Sequence, residues 1–297
     1  MNNNHTPYEY DYTIENYSGK IYNYLRGRYD YSGRVMRSVK YDGEVLLNGA
    51  PAFFSQQCAD SDSLKVVFPP EAPDLVAENI PFGVVYEDTD ILIADKPPHL
   101  LVHPTGAATG GTLANGVYAH WKKTGYKGKL HYVSRLDMNT SGLITIAKNR
   151  YIHGALQSMG KRGLIRKTYT ALCKGLPPQS EGVIESSIGK VEGSIGRVID
   201  EEGKKCVTEY KLLESLGQFC LLELRLITGR THQIRVHLKS IGCPIVGDDL
   251  YDEPSPLIDR QALHSSSLIL THPYTRCEMS FESGLPEDME RLVCGLM

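Results

Sequence analysis

Five β-rich segments lie between Arg166 and Ser283: RKTYTALCKG, CVTEYKLLE, QFCLLELRLIT, ALHSSSLILTH and RCEMSFES, each bounded by turn residues. Their β-branched and aromatic side chains suit a pleated, half-buried surface. Helical patterns fall irregularly among the strand segments of the chain, not in βαβ alternation. That order predicts an α+β fold around a mixed, largely antiparallel sheet. Upstream, VVYEDTDILIADKP predicts two short strands around an acidic turn. Leu113, Val117 and Trp121 recur at i, i+4 and i+8, predicting a helix that ends on Lys122 and Lys123; Ile152, Leu156 and Met159 predict another. These elements form a body over residues 81–297.

Ahead of it, residues 18–70 read as a small α+β unit. Ile21 and Leu25 predict a short helix. Ser32 can cap a second, with Val35 and Val39 inward and Arg34 and Arg37 on another face; Gly43 ends it before EVLLNGAPA. Prolines 69, 70 and 73 stiffen a connection assigned to residues 71–80. Residues 1–17 are polar and tyrosine-rich, expected to be a mobile or loosely docked arm. Half of the eighteen tyrosines precede residue 42. Two roles fit them: stacking platforms for bases and packing against the small unit.

The chain has 297 residues, 41% hydrophobic and 23% charged, an ordinary soluble composition. No apolar run reaches the roughly 18 to 20 residues of a membrane span, and MNNNHTPYEYDYT lacks the features of a secretory signal. The expectation is a cytoplasmic monomer. Seven scattered cysteines form no C-x-x-C pair, and His232 and His237 lie out of phase on a helix. No metal is expected. The net charge of −3 conceals a strong asymmetry. His120–Gly175 carries twelve Lys or Arg against Asp137 alone, +11; Ser18–Lys40 carries six against Asp30, +5; Glu278–Glu290 holds five acids and no base. Such asymmetry can steer a polyanion to one surface.

Within the +11 stretch, HYVSRLDMNTSGLITIAKN places Arg135 and Asp137 at the head of a turn that leads into the alternating strand LITIA. Taken alone, an Asp beside an Arg in such a turn is a structural ion pair or a cap. A second segment, TGRTHQIRVHLKSIGCPIVGDDLY, offers Thr231 as a helix cap and Ile234, Leu238 and Ile241 as a buried stripe. Arg230 precedes that helix and Arg235 lies one turn inside. The stripe does not explain why two arginines and two histidines crowd around it.

Together these segments strongly resemble the RluA-type pseudouridine synthases, in which H-R-L-D-x-x-T-S-G carries the catalytic aspartate, here Asp137. VVYEDTDILIADKPPHLLVHP, KTYTALCKG, TGRTHQIRVHL…GCPIVGDDLY and ALHSSSLILTHP match the other motifs in order, over about residues 82–283. LRGRYDYSGRVMRSVKYDGEVLLNGAPAF resembles an S4 RNA-binding domain, which implies that Arg26, Arg34 and Arg37 face structured RNA. The resemblance implies isomerisation of uridine with no cofactor. Asp137 would attack uracil or ribose, or initiate elimination. Arg135 would fill the stack vacated by a flipped base, and Tyr169 would pack against that base. Arg235 would pair with Asp137, a guanidinium favouring the ionised form of a nearby carboxylate. Lys167, beside Tyr169, is expected on RNA; Arg230 is structural or contacts phosphate. The S4-like unit implies large-subunit ribosomal RNA as partner.

One residue departs from the pattern: Ser134 stands where the family usually has His. His131 does not substitute, because Arg135 and Asp137 fix the register. A transfer-RNA target and a non-catalytic S4-containing assembly factor are the alternative readings. The second is disfavoured because Asp137, Tyr169 and Arg235 are all present. A glycoside hydrolase would need two carboxylates flanking the bond, and the basic stretch offers one. TGAATGGT (105–112) lacks P-loop and dinucleotide spacing and reads as a loop at the active-site rim.

Overall fold

The expected strand segments join in one sheet. The computed structural model describes residues 8–105 and 109–296. Among them the sheet runs in space through Arg197–Ile199, Glu181–Lys190, Lys204–Leu216, Phe219–Leu226 and Arg166–Lys174. It continues through Leu263–Thr271, Ser141–Ala147, Ile91–Lys96 and Gly83–Glu87. Glu278–Glu282 branches off the Leu263 strand. Neighbours along this path are antiparallel except at one place, where Ser141 and Gly142 lie parallel to His264 and Ser265. The fold is therefore α+β with a mixed, largely antiparallel sheet.

The central strands are covered on both faces, which is why ILIA and LITIA read as continuous apolar runs. Leu92, Ala94 and Ile144 face one core, while Ile91, Ile93 and Leu143 face the other. Before the body come helices α1 (Ile21–Tyr29) and α2 (Gly33–Asp42). Within it lie α3 (Leu113–Thr124), α4 (Arg150–Lys161), α5 (Gln233–Ser240) and α6 (Glu287–Leu296). α3, α5 and α6 supply Val117, Leu238 and Met289 to the first core. α4 supplies Ile152, Leu156 and Met159 to the second.

The N-terminal region differs from expectation in two ways. Residues 9–13, placed in a loosely docked arm, form a strand antiparallel to Ser63–Val67, with Tyr10 opposite Val66. Alternation explains it: Tyr10, Tyr12 and Ile14 point inward and are buried, while Asp11 and Thr13 point to solvent. Tyr10, Tyr12, Tyr24 and Tyr31 are thus packing residues, and Tyr41 stays exposed. Residues 1–7 of that arm lie outside the described residues.

The second difference concerns the connection 71–80, which is docked. Glu71 accepts from Arg150 Nη2 at 2.9 Å and lies 3.1 Å from His131 Nε2; these partners hold its carboxyl down to about 2 against the opposing effect of burial. Asp74 pairs with Lys129 at 2.6 Å, and Leu75 and Ile80 pack on the first core. The small unit also shares the second core with the body: Tyr10 meets Tyr151 edge-on at 4.8 Å, and its hydroxyl donates to Asp90 at 2.6 Å.

Candidate active site

The turn that carries Asp137 is built at the one parallel pairing in the sheet. Thr140 N–H closes the turn onto the Asp137 carbonyl at 3.1 Å, and the strand begins at Ser141. Gly142 has φ +102°, and a Cβ there would lie 2.3 Å from the Ser265 carbonyl oxygen. Only glycine lets the two strands approach so closely. Tyr169 stands opposite Ser265 on the adjoining strand, immediately after a register shift between Thr168 and Tyr169. A bulge of this kind re-aims a side chain. Burial, with the Asp137 carboxylate nearby, pushes the Tyr169 phenol up to about 12, so it stays protonated at neutral pH.

α5 delivers the third residue. Its start is not capped by Thr231, as expected, but lies at His232, with φ 57° and no side-chain cap. The Gln233 amide instead ties down the loop before the helix: its Oε1 accepts from Arg230 N at 3.0 Å and from Thr228 Oγ1 at 2.9 Å, while its Nε2 donates to Val207 O at 3.0 Å. The tied-down loop lets Arg235, one turn inside, reach back to Asp137. Arg235 Nη1 donates to Asp137 Oδ2 at 3.5 Å. Two shorter bonds, Nε to Asp248 Oδ2 at 2.8 Å and Nη2 to Oδ1 at 2.5 Å, fix the guanidinium as a fork. Burial opposes its charge, but the Asp248 and Asp137 carboxylates raise its pKa further. His232 Nε2 lies 3.8 Å from the same Asp137 oxygen. Asp248, Tyr251 and His232 sit in segments singled out by sequence, yet none drew a role there, because their partners come from other elements.

Asp137, Tyr169, His232 and Arg235 line an open cleft of about 910 Å³. Among the described residues its lining holds seven cationic side chains, Arg135, Lys161, Arg166, Lys167, Arg225, Arg230 and Arg235, and one carboxylate, Asp137. No group of three or more His, Cys, Asp or Glu among the described residues is arranged to hold a metal ion. The family model of RNA pseudouridylate synthase matches residues 90–240, a span that contains Asp137, Tyr169 and Arg235. The chain belongs to the RNA pseudouridine synthase family.

It is an RluA-type RNA pseudouridine synthase, an isomerase. The uncharacterized RNA pseudouridine synthase YjbO of Bacillus subtilis is 36% identical over 287 residues, 95% of this chain and 99% of that relative. The ribosomal large subunit pseudouridine synthase D of Nitrosomonas europaea is 35% identical over 261 residues, 84% of this chain and 76% of the relative. The solved human RNA pseudouridylate synthase domain containing 4 shares the fold, with a TM-score of 0.59 at 24% identity. That match covers 72% of this chain and 92% of the human one.

Two buried cations that sequence reading missed hold the synthase's Asp137 turn from behind. Lys96 donates to the Met138 carbonyl at 2.8 Å and Arg260 to the Asn139 carbonyl at 3.1 Å. The only local signal was a lysine closing the apolar strand ILIADK.

Nine of the twelve bases in the basic run fall into two populations. Lys129, Lys148, Arg150, Arg162 and Lys174 are paired with Asp74, Glu87, Glu71, Asp30 and Asp252. Arg135, Lys161, Arg166 and Lys167 face the cleft, Arg166 also lying 3.5 Å from Glu278. Desolvation pulls the half-buried Lys167 ammonium down to about 8. Arg26, Arg34 and Arg37 lie outside the cleft, exposed on α1 and α2, with Arg26 bonded to Tyr22 Oη at 2.8 Å. α2 packs on α4, whose Gln157 and Lys161 form part of the cleft wall.

Ser134 also lines the cleft, but its Oγ is enclosed and has no hydrogen-bond partner among the described residues. His131 does not line it; its ring stacks on His153 at 5.5 Å. The described residues of TGAATGGT are not among those lining the cleft; Gly111 donates to Glu78 and Thr112 caps α3, and residues 106–108 lie outside the described residues. No helix among the described residues is long and apolar enough to cross a membrane.

Proposed function

We propose that Asp137 is the catalytic carboxylate of this synthase and that its substrate is a uridine in large-subunit ribosomal RNA. In the isomerisation the C1′–N1 bond breaks and a C1′–C5 bond forms. The C5 hydrogen leaves to solvent and N1 takes a proton. The observation that carries the reading is the cleft itself: one carboxylate, in contact with Arg235, among seven cationic side chains. The cations attract and orient a polyanion, and among the described residues lining the cleft the carboxylate is the only one placed to act on the base or sugar.

Arg135 is exposed at the cleft, two residues from Asp137, with no hydrogen bond or ion pair among the described residues. It suits insertion into the stack vacated by the flipped uridine, a step costing a few kcal/mol. Tyr169 packs against the flipped base, and Lys167 and Arg230 take flanking phosphates. The unit around α1 and α2 acts as an S4-like module presenting Arg26, Arg34 and Arg37 to structured RNA. The ribosomal target is supported by the name of the Nitrosomonas europaea relative. Such a substrate places the enzyme in the cytoplasm.

The test is to map pseudouridines in ribosomal and transfer RNA from cells with and without the gene. One or more large-subunit sites should vanish on deletion and return with the wild-type gene, not with Asp137→Asn. Full restoration by Asp137→Asn would refute the catalytic assignment, and loss confined to transfer RNA would refute the ribosomal one.

A further inference from the structure

His232 occupies a left-handed backbone position, φ 57° and ψ 18°, at the start of α5. Glycine is free there; asparagine, aspartate and histidine enter it more readily than other side chains, still at a cost of about 1 kcal/mol. Strain of this kind persists where the side chain is held for a purpose, and the surroundings of this one indicate which. The Tyr251 hydroxyl oxygen accepts the backbone N–H of Arg197 at 2.8 Å, and it lies 2.8 Å from His232 Nδ1. A carboxylate faces the other ring nitrogen, which favours a hydrogen on Nε2 and leaves Nδ1 to accept the Tyr251 proton. A neutral imidazole that accepts at Nδ1 carries its hydrogen on Nε2. Nε2 is the nitrogen that faces Asp137 Oδ2 at 3.8 Å.

Arg235 reaches the same oxygen at 3.5 Å. Its own place is fixed by Asp248 on one side and by the Tyr251 ring, 4.9 Å from the guanidinium carbon, on the other. Tyr251 therefore serves both donors: its ring supports Arg235 and its hydroxyl sets the tautomer of His232. Arg235 hydrogen-bonds Oδ2 and His232 Nε2 faces the same oxygen at ion-pair distance, while no group among the described residues is directed at Oδ1.

We infer that His232 is a positioning residue for the isomerisation: with its tautomer set by Tyr251, it turns Asp137 so that Oδ2 is held by protein and Oδ1 is presented to the uridine. This rests on Asp137 being the catalytic carboxylate. The charged and titratable groups that face His232 are Asp137, Arg235, Asp248, Arg197 and Tyr251. Burial is the leading influence on the imidazole and lowers its pKa, which keeps it neutral at neutral pH.

The test uses full-length protein in excess over total RNA from gene-deleted cells grown with uridine tritiated at C5. Tritium release reads the chemical step, and filter retention reads RNA affinity. His232→Asn removes the reach to Asp137 while suiting the left-handed backbone. It should keep the thermal midpoint and RNA affinity but slow release by about ten- to a hundredfold, the scale of a misplaced reacting group. His232→Gln should recover much of the rate, since its amide oxygen can accept from Tyr251 while its NH₂ donates toward Asp137. Tyr251→Phe keeps the ring under Arg235 and should still slow release. A wild-type rate in His232→Asn, or a His232→Gln variant no faster than His232→Asn, would overturn the proposal. Asp137→Asn separates the two readings. If it is inactive while His232→Asn is normal, only the positioning role fails; if it is fully active, the catalytic assignment fails first.

Discussion

Lys96 Nζ lies 2.8 Å from the carbonyl oxygen of Met138, the residue directly after Asp137. Its other donors go to the carbonyls of Pro97 and Leu100, both at 2.9 Å, so a fully buried ammonium is satisfied entirely by backbone. The strand Ile91–Lys96 thereby holds the Asp137 turn in place without touching the carboxylate.

Burial, with Arg260 nearby, pulls the Lys96 ammonium down to about 7 from its ordinary 10.5. Between those values the unfolded chain binds more protons than the folded one, so stability rises with pH across that window. Urea unfolding of Lys96→Met between pH 7 and about 10, the upper limit set by an ordinary lysine, should lack that rise. An unchanged slope would show that another group produces it. The same variant should release tritium more slowly, because the Met138 carbonyl loses its donor.

Arg260 binds Asp288 of α6 through Nε at 2.6 Å and Nη2 at 2.9 Å while donating to Asn139. Asp288→Ala leaves a buried guanidinium unpaired and should destabilise the fold by about 3 to 5 kcal/mol, measured by denaturant unfolding. Burial works against the Asp288 carboxylate, but Arg260 lowers its pKa overall. The stability it contributes is therefore present above the ordinary carboxylate range and lost as pH falls below it. Asp288→Asn should flatten that acid-side loss.

Removing residues 1–70 should not release a working catalytic body. The deletion uncovers Tyr151, Ile152, Ile93 and Leu268, which share a core with Tyr10, Tyr31 and Val35. An apolar face of that kind drives association. Gel filtration should find the truncated chain aggregated, and a monomeric, active fragment would contradict the shared core. Tyr10→Ala in the full chain should cost about 3 to 5 kcal/mol, as for other buried aromatics.

RNA affinity should fall steeply with salt, each lost phosphate contact reducing the log–log slope by about 0.7 to 0.9. Arg230→Ala should flatten that slope. Arg150→Ala should not, because Arg150 is engaged with Glu71 away from the cleft.

Much of the fold was legible because local chemistry writes it. The apolar runs ILIA and LITIA, the i, i+4 spacing of Leu113 and Val117, and the Ser32 cap each report burial or hydrogen bonding within one element. The strand Glu181–Lys190 escaped notice because Glu, Ser and Gly fill much of it and leave little apolar alternation. The first strand was hidden for a related reason: tyrosine serves equally at a surface and in a core, and only its partners decide which.

The sequence by itself determined most of the strand segments, the α+β class with a mixed sheet, and the motifs containing Asp137, Tyr169 and Arg235, since these depend on residue type and short spacing. Only the tertiary structure decided which of the basic residues remain available to RNA, because their carboxylate partners come from Glu71, Asp30 and Asp252 far along the chain. It also decided that Lys96 and Arg260 hold the Asp137 turn and that His232 faces Asp137. Those relationships are distances of about 3 to 4 Å between groups up to a hundred or more residues apart, the range over which hydrogen bonds and ion pairs act. Residue spacing carries no record of them until the chain has closed on itself.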